Sequence, residues 1–164
     1  MRVALPVRIV VLAIALGLVP AAALAASSAH PVTGLYKATA KTGKPFSFHI
    51  VKAICPPPVR GGNQHQKLGY CYKPVGDPTF DITCKSGATI DGESYSLFDG
   101  LLTSTGKLSE PETSSDGTTG AFHITVGTNG HASGFYEVVY HRSGSGSVEK
   151  CPTGRITFTA QKLG

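Results

Sequence analysis

The chain has 164 residues, 41% hydrophobic, 8% aromatic and only 15% charged, a balance that excludes a highly charged disordered chain. Its 20 glycines and 11 prolines punctuate short apolar runs, which excludes a helical bundle or a coiled coil. The formal charge of +5 falls by two, to +3, once Arg2 and Arg8 are assigned to a leader, and no basic footprint remains to mark a nucleic-acid partner.

Arg2 and Arg8 precede an uncharged run from Ile9 to Ala26 broken by Pro20, and Ala23-Leu24-Ala25 sets small residues where a signal peptidase needs them. This pattern predicts a signal peptide over 1–25 and a single exported β-domain over 26–164. The run just reaches the length of an uncleaved membrane anchor, but Pro20 and the small residues favour cleavage. No later run is long enough to span a bilayer, so no stable membrane insertion is expected after cleavage.

Period-two alternation then recurs along the chain, the mark of strands packed on one face. Leu35 to Ala40 is a first weak strand, and Pro45 to Val51 a clearer one, with Phe46, Phe48 and Ile50 inward and Ser47 and His49 outward. Between Cys55 and Cys71 no strand or helix period is evident, and the segment reads as a loop tied at its ends by a Cys55–Cys71 bridge. That pairing leaves Cys84 for Cys151, and the spacings match neither a zinc site nor a redox C-x-x-C. Loop-closure entropy assigns about 3 kcal/mol to the short bridge and about 4.4 kcal/mol to the long one.

Phe80 to Cys84 alternates again, and Tyr95 to Thr103 reads as a strand bent at Gly100. Ser104 to Thr119 and Ser143 to Ser147 are polar and read as loops. Gly120 to Val126 places Phe122, Ile124 and Val126 inward with His123 and Thr125 outward; Asn129-Gly130 then signals a hairpin into Ala132 to His141. Gly154 to Gln161 closes with Ile156, Phe158 and Ala160 on one side. The fold class is all-β, an antiparallel β-sandwich or partly closed β-barrel of about seven to eight strands.

Gly34-Leu35-Tyr36-Lys37, Gly43-Lys44-Pro45-Phe46-Ser47-Phe48, the strand ending at Cys84, Gly134-Phe135-Tyr136, and the run from Cys151-Pro152-Thr153-Gly154 to Ala160 resemble a family of small secreted actinobacterial-type β-domains without an assigned activity. The resemblance implies fold and export, and supports pairing Cys84 with Cys151. The Cys55–Cys71 segment departs from the family pattern as an insertion with its own bridge.

The residues offer little catalytic chemistry. His49, His123, His131 and His141 lack a carboxylate constellation, so no metal or other cofactor is expected. No G-x-S-x-G elbow occurs, Ser145 sits in a linker-like run, and Asp81, Asp91, Glu93 and Asp99 read as loop and turn carboxylates, with Asp91 and Glu93 flanking a turn at Gly92. No catalytic residue is assigned, and a small hydrolase or metal-dependent enzyme would need a convergent pocket that sequence does not display. The cysteine loop offers more: Pro56-Pro57-Pro58 stiffens it, and Arg60, Lys67, Tyr70, Tyr72 and Lys73 decorate it as a basic, aromatic contact surface. The expected function is therefore a non-enzymatic exported binding domain, monomeric, whose partner is a protein or an anionic envelope polymer. The alternatives are a purely structural envelope or secreted module and, second, the small hydrolase or metal-dependent enzyme; within the binding reading the rival surface is the outward face carrying His49 and His123.

Overall fold

The computed structural model describes residues 30–55, 66–113, 117–144 and 147–164. Its strands are β1 (Gly34–Ala40), β2 (Phe46–Cys55), β3 (Lys67–Pro74), β4 (Thr79–Thr83), β5 (Thr89–Ser94), β6 (Gly100–Leu101), β7 (Lys107–Thr113), β8 (Thr119–Val126), β9 (His131–Gly144), β10 (Ser147–Pro152) and β11 (Ile156–Lys162). The main sheet runs β6-β3-β2-β1-β11-β9-β8-β7, every pair antiparallel, with β10 on the far part of β9 and β4–β5 as a separate hairpin. Apart from the β4–β5 and β10 insertions and the pairing of the first strand with the last, β1 with β11, neighbours in space are neighbours in sequence. This is an up-and-down meander curled into a nearly closed barrel.

The seam lies between β6 and β7. Lys107 O accepts from Thr103 N at 2.7 Å, and Thr103 O from Gly106 N at 2.9 Å, with Gly106 at φ +77° completing the tight connection. Gly100 is needed at this seam because a Cβ there would press on the Glu110 carboxylate and lie 2.8 Å from the Leu108 side chain.

An eight-strand barrel has an interior that side chains can fill. Here the filling is aromatic. Phe48, Tyr72, Phe122, Phe158 and Phe46 contact one another in a closed circuit, with centroid distances of 5.0, 5.1, 5.8, 5.1 and 6.3 Å in that order, returning to Phe48. The inward positions expected of Phe46, Phe48, Ile50, Phe122, Ile124, Val126, Ile156, Phe158 and Ala160 are all buried.

Both barrel ends are covered. At one, the cap end, the β4–β5 hairpin sets Phe80 5.5 Å from Tyr136, and Thr79 O accepts from Lys44 N at 2.9 Å. Its turn is fastened to β10 by the Cys84–Cys151 bridge and by Glu149, which accepts from Ser86 N and Ser86 Oγ, each at 2.8 Å. At the other, the ribbon end, residues 30–33 cross the mouth: Val32 N donates to Gly127 O at 3.3 Å and Val32 O accepts from the Tyr36 hydroxyl at 2.8 Å.

Several expectations need correction. Ser104 to Thr119 contains β7, whose Glu110 and Pro111 hid its alternation, although Leu108 and Glu110 do point inward. Ser143 to Ser147 holds the end of β9 and the start of β10. Tyr95 to Thr103 is not one strand: residues 95–99 are irregular and only Gly100–Leu101 pair. Asp91 and Glu93 lie in β5, where Gly92 at φ +69° forms a β-bulge and its N–H donates to Asp81 Oδ1 at 2.8 Å. The segment between Cys55 and Cys71 is not all loop, because β3 begins at Lys67.

Candidate functional site

At the ribbon end the outer part of β2 and β3 departs from the barrel surface. β1 pairs with β2 only as far as Gly34↔Ile50, whereas β3 accompanies β2 to Cys55↔Lys67. On its other side β3 meets β6 only at Cys71 and Tyr72. Val51–Cys55 and Lys67–Gly69 therefore extend past the ribbon end as a two-stranded projection.

The Cys55–Cys71 bridge shapes it. Cys55 stands opposite Lys67 in register, four residues before Cys71, a span of about 13 Å in a flat strand. The Cα atoms of the bridged cysteines are only 5.5 Å apart, so the ribbon bends sharply toward the bridge. Cys55 and Cys71 are buried on the bridged side. By strand alternation Lys52, Ile54, Leu68 and Tyr70 share the opposite side. Ile54 and Leu68 face each other in register there and are 62% and 72% exposed. Adjacent large aliphatics left in water are an uncommon cross-strand pair.

The five residues expected to form one contact surface separate. Lys67 is exposed on the projection, and Tyr70 is half-buried beside it, stacked on His30 at 5.5 Å. Tyr72 is 0% exposed, a member of the aromatic circuit, and offers no surface to a partner. Its inward register opposite Ile50 and Gly100 is the physical reason, since the strand rather than the cysteine decides which way it points. Lys73 lies toward the other end of β3, 3.8 Å from Asp99 in an exposed ion pair worth little. Arg60, with the proline run, lies outside the described residues. Both expected disulfides are present, Cys55–Cys71 and Cys84–Cys151.

Among the described residues the histidines of β2 and β8 do not converge. His49 on β2 and His123 on β8 are separated in the sheet by β1, β11 and β9, and His123 stacks on Phe135 at 4.4 Å with the Arg155 guanidinium 4.1 Å from the same ring. Cys84, Glu149 and Cys151 bring potential ligand atoms within 4.8 Å of one another, but both sulfurs are joined in the bridge and the carboxylate is held by Ser86. Those hydrogen bonds keep the Glu149 carboxyl below the usual range.

The barrel interior carries polar groups at the Tyr72 level and toward the cap end. The Tyr72 and Tyr136 hydroxyls have no hydrogen-bond partner among the described residues, and Glu110 is buried at 8% exposure. Burial pushes the Tyr136 phenol up to about 12. Tyr72 is raised well above the ordinary value by burial and then by the charges of Glu110, Asp77 and Asp99. The aromatic circuit fills the interior, and both ends are covered.

The carboxylates divide along the barrel. Among the described residues every Asp and Glu lies between the barrel middle and the cap end, on the β3–β6 connection, β7, β9 or β10. The ribbon end instead carries Lys52, Lys67, Lys107 and Lys162 from four strands, with His30 and His131. Ile54, Leu68, Lys52, Lys107 and Lys162 escaped the sequence reading. The available signal was the matching Lys-plus-aliphatic flanks of the cysteine segment, Lys52-Ala53-Ile54 and Lys67-Leu68.

No family, curated protein or solved structure matches this chain. Among the described residues no helix is long and apolar enough to cross a membrane, and the two disulfides fit an oxidising compartment.

Proposed function

We propose that this chain is a non-enzymatic, exported binding module that meets its partner through the β2–β3 projection. The observation that carries the reading is the in-register pair Ile54 and Leu68, 62% and 72% exposed on a ribbon that leaves the barrel and is braced by a disulfide. Such a ribbon loses little entropy on binding, and exposed aliphatics beside a half-buried tyrosine make a small contact centre. The leader pattern over 1–25 and the two bridges support export, and the likeness to secreted actinobacterial-type β-domains points the same way.

The test is retention on envelope fractions of the producing cells. Wild-type protein should be retained, and I54S/L68S should lose about 1–2 kcal/mol of binding for each side chain while its melting temperature stays nearly unchanged, because neither residue belongs to the core. Equal retention of the variant and the wild type would remove the ribbon from the contact and leave a structural module.

A further inference from the structure

We infer that the partner of the ribbon end is the surface of an anionic lipid bilayer, with Ile54 and Leu68 entering the boundary between headgroups and acyl chains while lysines face the lipid phosphates. This rests on the proposed binding role of the β2–β3 projection and names what it binds.

Three observations lead there. First, the carboxylates are sorted by position, while lysines occur at both ends. Lys52 on β2, Lys67 on β3, Lys107 on β7 and Lys162 on β11 surround one end of the barrel, where no described Asp or Glu lies, and the carboxylates are gathered from the middle to the opposite end. A net charge of only +3, that of the sequence without Arg2 and Arg8 of the leader, would give weak attraction if it were spread evenly. Sorted in this way, it orients the molecule with the ribbon end toward a negative plane.

Second, the part that projects furthest at that end is apolar at its tip and cationic at its flanks. Ile54 and Leu68 are exposed on the convex side of the bent ribbon, with Lys52 two residues from Ile54 and Lys67 next to Leu68. Leu163, 44% exposed, follows Lys162 where β11 ends at the same end of the barrel. A hydrophilic anionic polymer would attract the lysines but gain nothing from the aliphatic pair. A bilayer rewards both, because aliphatic side chains partition into the boundary while lysine stems let their ammonium groups reach phosphate.

Third, the cations come from strands distributed around the barrel, so they present a broad face and not a groove. A groove would suit a peptide, whereas a ring with a central projection suits a plane. Tyr70, half-buried against the core and stacked on His30 at 5.5 Å, sits at the base of the projection, where an amphipathic ring belongs in an interface.

The experiment is vesicle co-sedimentation of the full secreted protein. It compares pure phosphatidylcholine with an equimolar phosphatidylcholine–phosphatidylglycerol mixture, and uses soluble polyglutamate as a competitor. The protein should sediment with the anionic vesicles, at least roughly tenfold more tightly than with phosphatidylcholine alone, and the binding should weaken as salt rises. K52E/K67E should lose roughly tenfold or more, and I54S/L68S roughly tenfold. K85E/K150E makes the same change of charge on exposed residues at the cap end and should change binding by less than about twofold.

If K85E/K150E weakens binding as much as K52E/K67E, net charge and not the ribbon end is responsible, and the inference fails. If polyglutamate displaces the protein completely and I54S/L68S binds as wild type does, the ligand is an anionic polymer and the inference fails. Absence of vesicle binding overturns the lipid assignment alone when envelope retention persists and is still abolished by I54S/L68S, which would make the partner a protein. Loss of both overturns the binding reading as well.

Discussion

Tyr72 shows most directly what a single residue contributes here. Its ring lies 5.0 Å from Phe48 and 5.1 Å from Phe122, so it helps fill the barrel, while its hydroxyl is buried without a hydrogen-bond partner among the described residues. Burying an unsatisfied hydroxyl costs free energy, and an apolar replacement of the same shape removes that cost. Tyr72→Phe should therefore leave stability unchanged or raise it by about 1 kcal/mol in denaturant titration; a loss of more than that would mean the hydroxyl is satisfied after all. Tyr36, Tyr72 and Tyr136 all have phenols raised above the ordinary value of 10, Tyr136 to about 12. The folded state thus holds these protons more tightly than the unfolded chain does. Stability from this source is complete below pH 10, and the share held by Tyr136 is lost as pH rises through about 12, so spectrophotometric titration should find its phenol ionising together with unfolding.

At the scale of elements, the two disulfides do different work. Cys84–Cys151 closes a separation of 67 residues and fastens the cap hairpin to β10, whereas Cys55–Cys71 closes 16 and bends the projecting ribbon. Losing the first by C84S/C151S should cost about 4.4 kcal/mol and losing the second by C55S/C71S about 3 kcal/mol, measured by chemical denaturation, and only the second should impair envelope retention. The elements were legible in sequence where inward residues were apolar and outward ones polar, as in β2, β8 and β11. They were hidden in β7, where an inward Glu110 broke the pattern, in β5, where the Gly92 bulge shifted the register, and in β10, which lies at the sheet edge. The site was legible in outline only. The cysteine spacing pointed to the right region, but the start of β3 at Lys67, and with it the inward turn of Tyr72 and the exposure of Leu68, depends on pairing with β2 across a gap that local pattern does not encode.

Taken whole, the molecule is a nearly closed meander barrel with an aromatic filling, its carboxylates gathered from its middle to its cap end, and with Lys52, Lys67, Lys107, Lys162 and the exposed Ile54 and Leu68 at the other end, where no described carboxylate lies. That asymmetry makes a statement about orientation: contact should come at the ribbon end and leave the β4–β5 cap free. Hydrogen–deuterium exchange with and without envelope membranes tests this most directly. Amides of Val51–Cys55 and Lys67–Gly69, which leave the barrel paired only with each other's strand, should exchange more slowly when membranes are present, while those of Thr89–Ser94 in the cap should not change. Protection confined to the cap hairpin, or no protection of the ribbon under conditions where the protein is retained, would contradict the account.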